Sequence, residues 1–186
     1  SLVAILFLFD RGTAVKRWEV GLYAGGREQI KQLDSEIAMR PGIVDPIIAR
    51  GNYFASQNQF ELAIADYRAA LKMDAQNPRA LYNIGQIRLM QKKYTEAEKN
   101  FRAALARAES DARLAGSVHF GLGFCLYHRG GASKAIPEFD AAIARVPDAP
   151  DFYHWRGTAR KAMGDEVNAQ SDFARAEQLS SVNSEQ

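Results

Sequence analysis

Residues 85–104 read Gly85-Gln86-Ile87-Arg88-Leu89-Met90-Gln91-Lys92-Lys93-Tyr94-Thr95-Glu96-Ala97-Glu98-Lys99-Asn100-Phe101-Arg102-Ala103-Ala104. Within this stretch Gly85 is followed at fixed intervals by Ala97, Phe101 and Ala104. The same intervals recur in Gly51, Ala63, Tyr67 and Ala70; in Gly123, Ala135, Phe139 and Ala142; and in Gly157, Ala169, Phe173 and Ala176. The four glycines stand 34, 38 and 34 residues apart. Ordinary residue frequencies would produce one such pattern at roughly 1 in 10,000 starting points. Four copies in register decide the fold.

Small residues recur where two helices must approach closely, because a larger side chain would hold them apart. The aromatic residue of each second helix is expected to fill the gap toward the next repeat. Alanine is abundant and no run alternates as a strand would, so the chain reads as all-α. The spacing predicts helix pairs at 45–57 and 61–73, 79–91 and 95–108, 116–129 and 133–145, and 151–163 and 167–179. Pro46, Pro78 and Pro150 suit first-helix starts. Gly130-Gly131 and Gly164 suit the turns within pairs, and Phe60 and Tyr94 precede second helices. Period and pattern together resemble the tetratricopeptide repeat, a helix–turn–helix unit of 34 residues, over about residues 44–179. The resemblance implies a right-handed superhelical solenoid of antiparallel helix pairs, with the first helices lining a concave groove.

Four extra residues around Ser110-Asp111-Ala112-Arg113 separate the second and third repeats, and either lengthen a helix by a turn or form a loop. Pro137 falls near the start of a second helix, where losing one backbone donor is tolerable. Residues 10–43 read as a degenerate capping pair. Ala14, Val15, Trp18 and Leu22 share one helical face, Gly25-Gly26 make a turn, and Ile30, Leu33 and Ile37 form a second stripe. Terminal repeats are commonly atypical because they cap the array. Residues 180–186 read as a frayed tail.

The net charge of +2 is too mild to imply nucleic acid, and none is expected as a partner. Acidic residues are interleaved with the basic ones: Lys92 and Lys93 are soon followed by Glu96 and Glu98, as on a solvated helix face. Residues 1–9, Ser1-Leu2-Val3-Ala4-Ile5-Leu6-Phe7-Leu8-Phe9, are apolar after the first. As a helix they would reach about 13 Å, short of a hydrocarbon core of ~30 Å. They are read as the end of a membrane anchor that begins before Ser1; a buried cap on the solenoid and a signal-peptide remnant are the alternatives. Arg11, Lys16 and Arg17 lean toward the cytoplasmic side. Similarity to N-terminally anchored bacterial repeat proteins points instead to the inner membrane with the repeats in the periplasm.

No motif carries catalysis. There is no phosphate loop, and Cys125 is the sole cysteine, so no disulfide or zinc knuckle can form within the chain. His119, His128 and His154 have no metal-ligand spacing. No cofactor or metal is expected, and the chain is read as a non-enzyme. Arg50 and Arg156 each precede a signature glycine, and each has an aspartate sixteen residues later, Asp66 and Asp172. In repeats two and three those slots hold Ile84 with Asn100 and Leu122 with Glu138. This covariation predicts two arginine–carboxylate bridges inside the repeats.

The family resemblance implies that first-helix residues facing the groove contact a protein or peptide. Slot by slot the lining is Ile48, Asn52 and Ser56; Tyr82, Asn83, Gln86 and Met90; Phe120, Phe124, Tyr127 and His128; and His154, Trp155, Thr158 and Lys161. Its aromatic members are expected to be at least partly exposed and to bind an apolar or aromatic-containing segment. Asn52 and Asn83 match the asparagines of the carboxylate clamp in chaperone-binding members of the family. The clamp's basic slots hold Ile48, Ser117 and Gly121, so a terminal carboxylate would find no cation there. The asparagines could still bond an extended peptide backbone. The resulting expectation is a non-catalytic scaffold, namely a membrane-tethered adaptor, assembly factor or accessory subunit of a membrane complex. A soluble peptide-binding module resembling a cochaperone and a regulator of an enzyme, or an unrecognised enzyme, remain alternatives.

Overall fold

The computed structural model describes residues 26–184, and within them every regular element is a helix. In chain order these are α1 (Gly26–Met39), α2 (Asp45–Ser56), α3 (Phe60–Met73), α4 (Pro78–Met90) and α5 (Tyr94–Ala108). There follow α6 (Ala112–His128), α7 (Ala132–Arg145), α8 (Pro150–Ala162) and α9 (Glu166–Ser184). From α2 onward they form four consecutive pairs, and each second helix also packs on the first helix of the next repeat.

The helix limits match the spacing-derived ones within one or two residues except at two ends. α6 has 17 residues against 13 in α4 and α8. Its added turn starts behind Asp111, whose side chain accepts the Leu114 N–H at 3.0 Å. The four extra residues therefore extend a helix and form no loop. α9 continues through Ser184, so the frayed tail expected from residue 180 is helical as far as that residue. Pro137 is the sixth residue of α7, so the bond it cannot donate is the one to the Ser133 carbonyl near the helix start. Of the degenerate cap, α1 is the second helix, and Ile37 packs against the core between α2 and α4. The anchor expected at residues 1–9 and the first capping helix with Ala14, Val15, Trp18 and Leu22 lie outside the described residues.

Each signature glycine receives the ring of its own second helix. A Cβ on Gly51 would lie 2.6 Å from Tyr67, one on Gly85 2.6 Å from Phe101, one on Gly123 2.6 Å from Phe139, and one on Gly157 2.8 Å from Phe173. Phe101 is closed in from the other side by Gly121 of the next repeat, where a Cβ would lie 2.7 Å from the ring. Phe101 thus fills the gap within its repeat as well as the one toward its neighbour. Ala63, Ala97, Ala135 and Ala169 are fully buried. The core runs as two clusters, one between α2, α3 and α4 and one from α4 to α8.

Both expected bridges form. Arg50 bonds Asp66 and Arg156 bonds Asp172, and each arginine also reaches an aspartate sixteen residues upstream, Asp34 or Asp140. Further pairs join neighbouring repeats about one period apart, such as Arg79 to Asp45 and Arg107 to Asp74.

Successive first helices α2, α4, α6 and α8 touch one another, whereas successive second helices do not come into comparable contact. The array therefore bends with its first helices on the inner side. That bend sets the first helices, which carry the candidate lining residues, along one side of the array.

Candidate protein-binding groove

The groove is polar at its amino-terminal half and aromatic at its carboxy-terminal half. In the polar half, Asn52 of α2 is tied to two elements. Tyr67 Oη donates to Asn52 Oδ1 at 2.7 Å, and Asn83 Nδ2 donates to the same oxygen at 2.7 Å. Burial holds the Tyr67 phenol above its ordinary range, so it stays a donor. This small network links α2, α3 and α4. The amide oxygen of Asn52 already accepts two bonds, and what remains for a peptide backbone is its Nδ2, which has no hydrogen bond among the described residues. Gln86 Nε2 donates to Tyr82 Oη at 2.5 Å, while Gln86 Oε1 is buried and has no partner among the described residues.

In the aromatic half the exposure expectation divides. Phe120 and Phe124 are only 3% and 5% exposed. Phe120 stacks on Phe152 of α8 at 4.9 Å, and Phe124 meets Trp155 edge-on at 4.6 Å. Both belong to the core between α6 and α8, which corrects their assignment as open groove residues. Ile48 is likewise fully buried. Tyr82, Tyr127 and Trp155 are half-buried and keep part of their rings at the surface, and His128 and His154 are exposed.

His128 is the centre of this half. Its ring lies parallel to Tyr94 at 5.1 Å and 4.4 Å from Phe124. Tyr127 and Trp155 stand 5.4 and 5.7 Å away. Burial against these rings, and then the charge on Lys92, hold the His128 imidazole below the usual histidine range. From sequence Tyr94 reads only as a turn residue, and Lys92 only as part of a solvated face. The 34-residue alignment places neither on the groove wall, so their approach to His128 depends on how α5 and α6 pack. His154 stands 6.2 Å from Trp155 and 5.5 Å from Phe173. It borders a shallow depression of about 320 Å³ with Pro150, Asp151, Phe173, Ala176, Glu177 and Ser180 at the end of the array. A larger depression of about 470 Å³ is lined by one face of α1 alone and holds no groove residue.

The third histidine is elsewhere. His119 Nδ1 lies 2.8 Å from Glu138, with Glu109 at 3.8 Å from Nε2. Cys125 is fully buried, and burial pushes its thiol up to about 12, which keeps it protonated. Among the described residues no group of three or more His, Cys, Asp or Glu side chains could hold a metal ion, and no helix is long and apolar enough to cross a membrane.

The sequence matches a family model, Tetratricopeptide repeat, over residues 48–112 and 93–150, which together cover more than half of the chain. No curated protein matches. Among solved structures, PilF of Pseudomonas aeruginosa superposes with a TM-score of 0.77 at 22% identity, covering 89% of this chain and 74% of that one. MamA superposes with a TM-score of 0.69 at 19% identity, covering 84% and 90%. BtubC from P. vanneervenii gives 0.74 at 16% identity, covering 87% and 75%. At such identities the likeness is one of fold. The repeat register, the stacked helix pairs and the family match agree: the chain belongs to the tetratricopeptide-repeat family.

Proposed function

We propose that the protein is a non-catalytic scaffold that binds another polypeptide along the inner face of α2, α4, α6 and α8. The observation that carries this reading is the group of half-exposed rings on that face, Tyr82, Tyr127 and Trp155, with the exposed His128 and His154. Aromatic side chains offer large contact area at low entropic cost and dominate binding hot spots. The Nδ2 of Asn52, left over on the same face, suits an extended main chain. The buried cores of Phe120 and Phe124 hold the rings rigidly from beneath, which lowers the cost of ordering on binding.

We extend the reading to a membrane-tethered adaptor, assembly factor or accessory subunit, on the strength of the apolar run at residues 1–9. In this reading the repeats stand on the periplasmic side of a bacterial inner membrane. The test is affinity purification from membranes in mild detergent, comparing the full chain with Tyr127→Ala/Trp155→Ala and with a chain lacking residues 1–9. The double variant should lose the co-purifying protein, and the shortened chain should leave the membrane fraction. A partner retained by the double variant but lost from Lys99→Ala, on the outer face, would move the binding site to the second helices.

A further inference from the structure

In each of the first three repeats the second helix is covered by the first helix of the next repeat. Phe101 shows how close this cover is, since Gly121 of α6 leaves no room for a Cβ beside the ring. Covered in this way, Tyr67 is 1% exposed and Phe101 and Phe139 are fully buried. Phe173 holds the same slot in the last repeat, and no described helix follows α9. Its ring is only half-buried, and it lines the shallow depression together with Asp151, His154, Glu177 and Ser180. By the period of the array, that depression is where the first helix of a further repeat would pack.

The repeats also state what a covering helix must carry. Twenty residues after the signature glycine stand Leu71, Leu105 and Ile143, each packed against the core. In α9 that slot holds Glu177, which is exposed and has no hydrogen bond or ion pair among the described residues. Arg175 does not answer it, being turned to Gln178 and to the ring of Tyr153. Six residues before the glycine stand Asp45 in α2 and Asp151 in α8. Asp45 is met at 3.1 Å by Arg79, which comes from the start of the covering helix α4. The open end therefore joins an apolar floor, Phe173 and Ala176, to carboxylates in slots that a covering helix meets. Acidic residues there keep the end soluble while it stands open, as a polar outer face does for any terminal repeat.

We propose that this end of the array is a docking site for one helix of a partner protein. The helix lays a small residue against Phe173, as α6 does against Phe101, and turns an arginine or lysine near its start toward Glu177 and Asp151. It continues the repeat-to-repeat interface by one layer, with the charge arrangement of Arg79 on Asp45. The partner is a different protein, because in a second copy α2, α4, α6 and α8 are each already packed between second helices. The site lies outside the groove and stands whether or not the groove binds a polypeptide.

A labelled peptide copying α4 tests it by fluorescence anisotropy on the full chain. The peptide is held helical by a cross-link in place of Tyr82 and Gln86 and carries Arg79 at its start. A second peptide has Arg79→Glu. The parent chain should bind the arginine peptide about tenfold tighter than the glutamate peptide, as one charge-assisted contact would give. Glu177→Arg should reverse that order, and Ser180→Trp, which fills the depression, should abolish binding of the arginine peptide. Both positions are exposed, so the melting temperatures of these variants should stay at the parent value. No binding at millimolar concentration, equal binding of the two peptides, or binding that survives Ser180→Trp overturns the site. An arginine peptide released by Tyr127→Ala lies in the groove, which overturns it as well. Sedimentation of the chain alone is the remaining check. An oligomer that Ser180→Trp converts to a monomer would give this face to a second copy and remove the partner helix.

Discussion

Arg50 grips Asp66 in a two-pronged bond, Nε to Oδ2 at 2.9 Å and Nη2 to Oδ1 at 2.7 Å, while Nη1 reaches Asp34 at 2.6 Å. One guanidinium on α2 therefore ties together α1, α2 and α3. Arg156 does the same for α7, α8 and α9 through Asp140 and Asp172, with Arg160 adding a third bond to Asp172. Bonding to Asp66 outweighs burial and holds the Arg50 guanidinium above its ordinary range. A planar five-donor fork suits this geometry and a lysine would not. The clamps sit in the first and last repeats, and the inner repeats fill the slot with the buried Ile84 and Leu122.

Asp66→Asn should therefore destabilise the protein by about 2–3 kcal/mol in chemical denaturation. That is below the cost of breaking a fully buried pair, because 26% of the Arg50 side chain remains exposed. Arg50→Ile combined with Asp66→Asn copies repeat two and should recover at least half of the loss. A double variant as unstable as Asp66→Asn alone would mean that the slot depends on local shape and not on charge matching.

Lys92→Gly should raise stability by about 0.5–1 kcal/mol, since Lys92 lies at a φ of 58° and glycine removes that left-handed strain. Gly130→Ala and Gly164→Ala should each lower it by about 1 kcal/mol for the converse reason, their φ values being 81° and 80° with open space around each Cβ. Denaturant midpoints at unchanged slope are the measurement.

Gly85→Ala would drive a methyl to 2.6 Å from Phe101, whose opposite edge is blocked by Gly121. The ring cannot retreat, so overpacking should cost about 1–3 kcal/mol. Ala97→Leu, at a fully buried position, should fall in the same range. Phe101→Leu placed with Gly85→Ala should restore part of the loss. If Gly85→Ala alone melts like the parent protein, the close approach of α4 and α5 is wrong.

Phe124→Ala should act on the fold first, by about 3–5 kcal/mol, because Phe124 is core. Trp155→Ala and Tyr127→Ala, at half-exposed sites, should leave a folded protein and weaken partner binding by about 1–3 kcal/mol. Circular dichroism melts beside binding isotherms separate the two effects.

His128 should titrate below the ordinary histidine range when its ring protons are followed by NMR. Its proton binds less readily in the folded state, so its contribution is full above the unfolded pKa near 6.5 and is lost as pH falls through the depressed folded value. Removing the nearby charge by Lys92→Gly should move the midpoint partly upward. A midpoint at or above 6.5 in the parent protein would contradict the burial of the imidazole against its neighbouring rings.

The sequence by itself determined the register of the repeats, the helix pairs and the arginine–aspartate bridges to Asp66 and Asp172. Each of these is a contact within one repeat, and the period reproduces it, so a comparison of four copies exposes the pattern. Asp34 and Asp140 stand sixteen residues upstream of their arginines, but that partnership crosses between repeats, so the comparison of slots within a repeat does not expose it. Only the tertiary structure decided which rings of the groove face outward. α6 buries Val118, Phe120, Leu122, Phe124 and Cys125 on several sides at once, against α5, α7 and α8. A helix apolar all round gives no face to read from its period. The stacking of Tyr94 on His128 was hidden for a related reason: it arises where two different repeats meet, and no spacing within a single repeat encodes it.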